Sequence, residues 1–377
     1  MNARRLVKAL SATAIEWSGL RWAVAFGARQ VAGGRRVVIV GYHRVCADFE
    51  GERQRGIETC LISRETFRAH LDYLARRFDL STMSRAVEVL AGRARARRDL
   101  AVITFDDGYQ DVLENALPIL REFDAPATIY VSSGPVTSRG HFPHDRLFAL
   151  LRAFEESPAM RARVPAETRE TILRRGQAGA KAWLHDLIRD ETPARLEGLI
   201  HELAHASDVL ARPPHRSLAL DWDGVRALCD GGFEIGAHTV SHAVLTNLEP
   251  DAVEREIRES KAAIERAVGR PVRHFAYCNG FWNEAVIRAL VRAGYQSAVT
   301  TEDRLNRLGD DPFRLGRRVL WEGSARGLQD RTSRSMLACQ LDGAWTAFGL
   351  RRPEPGRMPE PVPVPLSAPQ QGTRRLA

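Results

Sequence analysis

The chain of 377 residues has few cysteines: Cys46, Cys60, Cys229, Cys278 and Cys339. They are odd in number, widely spread and form no Cys-x-x-Cys pair, which argues against a disulfide framework and makes reduced thiols the expected state. No apolar run reaches the length of a spanning helix. The N-terminus opens with Arg4, Arg5 and Lys8 like a signal peptide, but Glu16 and Arg21 interrupt the apolar stretch, so no unbroken signal core is read. Solenoid-period repeats, heptads, a phosphate loop and a dinucleotide fingerprint are also missing, which removes the fold classes built on them. What is present is 44% hydrophobic residues, with seven Trp and fourteen Phe. That suffices for one large core or two modest ones.

A net charge of +8 invites a nucleic-acid reading, so its location matters. Residues 1–36 carry Arg4, Arg5, Lys8, Arg21, Arg29, Arg35 and Arg36 against Glu16 alone, and the stretch from Arg351 carries five Arg against two Glu. The body between is close to neutral. A basic nucleic-acid face is therefore not expected. Leu6, Leu10, Trp17, Leu20 and Val24 recur at helical spacing, with most of the basic residues elsewhere on the wheel. This basic helix, residues 1–36, either packs on the domain or lies on anionic lipid through residues 1–30. Seven prolines between Pro353 and Pro369 make 351–377 an extended or disordered tail, preceded by a helical extension over 326–350.

Between these ends, seven short β-rich runs alternate with helical patterns: Val37 to Tyr42, Ala101 to Phe105, Ala127 to Ser132, Phe233 to Ala237, His274 to Tyr277, Gln296 to Thr300 and Arg318 to Trp321. Such alternation favours a parallel sheet or barrel over 37–325. Helices are expected at Arg64 to Arg77, Tyr109 to Phe123, Trp222 to Asp230, Asp251 to Val268 and Asn283 to Ala293, with Gly269 and Gly294 closing the last two. Residues 138–215 break the rhythm with helical patterns and no strand, which reads as an insertion.

Parallel barrels place their chemistry at the carboxyl ends of the strands, and polar residues gather there. The first run ends Tyr42-His43-Arg44, the second Asp106-Asp107-Gly108, the fourth His238-Thr239-Val240-Ser241-His242 and the fifth Tyr277-Cys278-Asn279-Gly280. Two adjacent carboxylates raise one another's pKa unless a cation neutralises them. Two imidazoles four residues apart and one Asp give the three-ligand, open-position pattern of a catalytic zinc site, leaving the second Asp free as a base.

Thr-Phe-Asp-Asp-Gly followed by His-Thr-x-x-His resembles the polysaccharide deacetylases of the NodB-homology type, over roughly residues 37–322. The resemblance implies a distorted (β/α)7 barrel and a hydrolase that removes acetyl groups from N-acetylated sugars. It implies Asp106 as general base and Asp107, His238 and His242 as ligands of a divalent metal, with zinc expected. It also implies Tyr277, Asn279 and Tyr109 on the substrate and oxyanion side. Two departures stand out. The loop after the fifth strand lacks the family's Arg and has Cys278 in place of a Pro. The late Leu-x-His that supplies the acid is missing, since no histidine follows His274. In one branch of the family that motif is permuted to the first strand, and Tyr42-His43-Arg44-Val45 looks like that form, which makes His43 the expected acid.

Two alternatives stay open. One is a non-catalytic glycan-binding protein of the same fold. The other is a zinc protease using His201-Glu202-Leu203-Ala204-His205, although Asp208 and Ala211 stand where an extended motif needs Gly and His. His141, His144 and Asp145 resemble a second metal cluster, but Pro143 makes a helix start the better reading. A cytoplasmic, membrane-peripheral enzyme acting on a lipid- or nucleotide-linked sugar precursor is the expectation carried forward.

Overall fold

The computed structural model describes residues 3–31, 35–175, 180–207, 218–327 and 332–347. The expected Pro-rich tail and Leu210 lie outside them. The described residues contain ten strands: β1 (Val37–Tyr42), β2 (Arg44–Cys46), β3 (Leu61–Ser63), β4 (Asp79–Ser81), β5 (Leu100–Phe105), β6 (Ala127–Val131), β7 (Glu234–Ala237), β8 (His274–Ala276), β9 (Ser297–Val299) and β10 (Arg318–Val319). All seven expected runs are among them. They form one parallel sheet in the order β10-β1-β5-β6-β7-β8-β9, with β4 beside the start of β5, while β2 and β3 pair separately. β1 and β5 are buried along their whole length, as strands covered on both faces must be.

The sheet curls until residues 315–319 touch both of its edges. Leu315 pairs with Val299 of β9, and Arg318 pairs with Val40 of β1. The register aligns the strand ends. Tyr42 sits opposite Phe105, Phe105 opposite Ile129, and Val131 opposite Ala237, so His43, Asp106 and His238 emerge on one rim.

Helices cover the outside where periodicity placed them. Arg64–Arg77 starts under a Ser63 cap accepting from Thr66 N–H (3.1 Å), and Pro250–Val268 ends on Gly269 in the left-handed region. After β5 the chain takes a π-helical turn over Val112–Ala116, directly behind the Asp-Asp-Gly rim. Residues 143–206 form five helices with a separate core that includes Leu147, Phe154, Trp183, Leu187, Ile200 and Leu203.

The N-terminal segment differs from the single helix its spacing suggests. It is two helices, α1 (Ala3–Trp17) and α2 (Leu20–Val31), broken at Gly19, whose φ of 72° ends the first. Both pack on the helix Arg334–Asp342, with Ala12 and Ala25 buried and Ser335 donating to Glu16. Arg29 and Arg36 reach Asp99 at the start of β5 (3.0 and 2.8 Å), and Arg36 also holds Asp342 (2.9 Å).

Candidate active site

The rim residues occupy backbone that ordinary side chains avoid. Of six non-glycine residues with positive φ among the described residues, Asp107, Thr239, His242 and Asn279 lie here. Such conformations cost of order 1–3 kcal/mol each and persist only where surroundings impose them. Gly280 is required as well: its φ is +76°, and a Cβ there would lie 2.1 Å from Thr301 Oγ1. The loop from His238 to His242 is held by Glu256, which accepts from Val240 N–H (2.7 Å), Ser241 N–H (3.0 Å) and Ser241 Oγ (2.7 Å). Gly134 lets it approach closely, since a Cβ there would meet Val240 O at 2.7 Å.

Asp107 Oδ1 lies 3.4 Å from His238 Nε2 and 3.1 Å from His242 Nε2. It is buried and accepts no hydrogen bond. His238 Nδ1 donates to Ala276 O (2.8 Å), which leaves Nε2 as its lone-pair atom. Three donor atoms thus converge on one point, and an Asp/His/His set fits a divalent cation with an open position. The charges within the cluster answer one another. Burial alone would raise Asp107, yet the two imidazoles hold its carboxyl well below the usual range. Burial would lower His238, but Cys278 and Asp107 lift it well above its ordinary value. Cys278, His238 and His242 also carry potential ligand atoms within 4.8 Å of one another. Because Cys278 Sγ sits near the committed Nδ1 of His238 (3.9 Å), Asp107 is the better third ligand.

Asp106 is gripped at both oxygens by Arg317, whose Nη1 and Nη2 donate at 2.6 Å each. Burial would raise its carboxyl, but the guanidinium leads the charges that hold it low, so it is a carboxylate. His43 Nε2 stands 3.9 Å from Asp106 Oδ2. Arg317 was invisible to motif reading, although the missing Arg after β8 pointed to a vacancy in the pattern. It crosses the barrel over Gly41, where a Cβ would press on its side chain at 3.2 Å.

Two expected substrate-side residues are corrected. Tyr277 is buried and donates its hydroxyl to Phe313 O (2.9 Å). Tyr109 is fully buried and donates to Asp145 Oδ2 (2.8 Å), with His144 Nε2 2.7 Å from the Tyr109 hydroxyl oxygen. Both hydroxyls are spent on the protein, so these residues support the site from behind. Asn279 stands in the turn after β8, partly exposed, its carbonyl accepting from Thr301 Oγ1 (3.2 Å). Pro143 does open a helix, as expected, yet its first turn belongs to the site. The His144 ring lies 4.7 Å from that of His242, stacked on Phe142. The inserted helices therefore wall the His242 side.

His201 and His205 are exposed on the helix Pro193–Ala206, and Glu202 accepts from Thr168 Oγ1 (2.7 Å). Among the described residues no group of potential metal ligands includes them. A zinc protease would also need a downstream carboxylate; Glu234 instead accepts from Met83 N–H (2.7 Å) at the start of the helix Met83–Leu90, at the opposite end of the barrel.

A curled parallel sheet with paired carboxylates and two histidines on its carboxyl rim defines a class of barrel hydrolases. Known proteins narrow it: the polysaccharide deacetylase family model matches residues 93–298, more than half of the sequence, and the chain belongs to that family. It is 19% identical over 242 residues to a Bacillus subtilis relative named for polysaccharide deacetylase, YxkH, covering 64% of this chain and 59% of that one. It is 32% identical over 75 residues to the peptidoglycan-N-acetylglucosamine deacetylase of Bacillus cereus, covering 20% of this chain and 35% of that one. The match thus spans under two thirds of either relative. In fold it is similar to the Streptococcus pyogenes deacetylase PplD (TM-score 0.51, 16% identity, 76% of this chain and 92% of that). It is likewise similar to IcaB from Ammonifex degensii (TM-score 0.51, 20% identity, 77% and 94%).

Proposed function

We propose that the protein removes acetyl groups from N-acetylated sugar residues, releasing acetate, with Asp107, His238 and His242 holding a divalent cation, expected to be zinc. The observation that carries this reading is the buried, hydrogen-bond-free Oδ1 of Asp107 between two imidazole Nε2 atoms, beside a second carboxylate fixed by Arg317. A cation bound there supplies Lewis-acid polarisation of the amide carbonyl. Asp106 takes the proton of the attacking water, its two oxygens held in place by Arg317. His43, on the same rim, gives a proton to the departing amine. The backbone N–H of Asn279, in the turn after β8, is the group we assign to the developing oxyanion.

A lipid- or nucleotide-linked precursor is the substrate we favour, taken from the cytoplasmic side. Five cysteines, odd in number and without a Cys-x-x-Cys pair, support a reducing compartment. The deciding measurement is acetate release from N-acetylglucosamine-containing precursors, with and without chelator. Chelator-sensitive release is expected. Sugar affinity without release, at full metal occupancy, would replace the enzyme with a glycan-binding protein of the same fold.

A further inference from the structure

Exposed apolar surface is concentrated in one place. Of eight large hydrophobic side chains exposed among the described residues, five lie between positions 10 and 26: Leu10 (52%), Trp17 (87%), Leu20 (44%), Trp22 (54%) and Phe26 (62%). Leu10 and Trp17 are two turns apart on α1, and Trp22 and Phe26 one turn apart on α2, so each helix turns one apolar stripe outward. The other sides, marked by Ala12 and Ala25, are buried. The segment is docked, then, yet its largest side chains face away from the domain. A contiguous patch of this kind on a soluble surface marks a contact.

The charge says what kind. Arg29 and Arg36 hold Asp99 and Asp342, and residues 1–36 carry seven basic residues against Glu16 alone, so the segment is strongly net positive. Arg77 adds a cation at the edge, its guanidinium 4.8 Å from the Trp22 ring centroid. The one acidic residue, Glu16, accepts from Ser335. A second copy docked face to face would bring these cations together, because a two-fold contact pairs a patch with itself. No described helix is long and apolar enough to cross a membrane. Two helices lying flat with tryptophans outward and cations alongside match an interfacial element.

We propose that α1 and α2 form a platform that seats the protein on an anionic lipid surface, through Trp17, Leu20, Trp22 and Phe26, with the basic residues of 4–35 on lipid headgroups. This does not depend on the catalytic reading. The test is co-sedimentation of the full chain with vesicles of phosphatidylglycerol and phosphatidylcholine, or of phosphatidylcholine alone. Binding to the anionic vesicles is expected, weakened by 0.5 M salt on the order of tenfold or more. The variant Trp17→Ser/Trp22→Ser/Phe26→Ser should lose binding at least about tenfold. Its acetate release from a soluble substrate should match the parent. Arg4→Glu/Arg5→Glu/Lys8→Glu, which leaves the apolar face intact, should lose binding to anionic vesicles as well. Absent binding by the parent, or binding by either variant equal to the parent's, overturns the proposal. So does a parent that sediments as a dimer without vesicles and becomes monomeric in the Trp/Phe variant, which would assign the face to self-association.

Discussion

The two ends of this barrel both bury histidines and carboxylates, and treat them in opposite ways. At the amino ends of the strands, Glu234 accepts from Met83 N–H (2.7 Å), Ser84 N–H (3.2 Å) and Thr128 Oγ1 (3.0 Å). His274 has Ser84 Oγ and Ser297 Oγ at 2.9 Å on its two ring nitrogens, and Asp99 is held by two arginines. At the carboxyl ends, Asp107 Oδ1, His43 Nδ1 and His144 Nδ1 are buried without a hydrogen-bond partner. Left-handed backbone clusters around them. Polar groups satisfied by the fold stabilise it, and groups left incomplete are available to something else.

The largest effect should come from Asp107→Ala. It removes the convergent oxygen, so metal content measured by elemental analysis and acetate release should both fall to background. Next, Asp106→Asn should keep the metal and lower kcat about 10²–10⁴-fold, the range of a positioned acid-base group. Wild-type turnover in that variant would dismiss Asp106 as base. Arg317→Met leaves Asp106 buried without its cation, at a cost of about 3–5 kcal/mol in chemical denaturation. It would therefore damage both stability and rate, the one rim residue expected to do so.

At the other end, His274→Gln should leave kcat at pH 7.5 unchanged and alter only the pH dependence of stability. Burial pushes the His274 imidazole down to about 4, against about 6.5 in the unfolded chain. The unfolded chain thus takes up the proton first as pH falls. The stability His274 contributes is complete above pH ~6.5 and declines by about 1.4 kcal/mol per pH unit down to pH ~4. The variant should lose that share of the decline between pH 7.5 and 5.5 in urea titrations. The smallest effect belongs to His205→Ala, which should change neither metal content nor rate; loss of the metal there would revive the protease reading.

Much of this contrast was legible in residue order. The seven runs and their bounding helices follow from apolar patterning with glycine and serine caps, and the rim motifs stand at their ends because parallel strands all exit one way. β2, β3 and β4 are not among the expected runs. Arg317 escaped because its partner is 211 positions away, and only sheet closure brings them together. His144 looked like a helix start and is one, but sequence does not say that the helix begins against His242. The hydroxyls of Tyr109 and Tyr277 show the converse, since a residue type suited to substrate contact can turn inward. Nor does spacing reveal that a glycine splits the N-terminal helix.

Arg317 lies in the short stretch that bridges β1 and β9, well after His242 in the chain. During synthesis the amino end emerges first, so Asp107, His238 and His242 exist long before the guanidinium that anchors Asp106. A chain interrupted between residues 242 and 317 would carry Asp107, His238 and His242 with an unsupported Asp106. The rim is thereby supported only once synthesis has passed the stretch that closes the sheet.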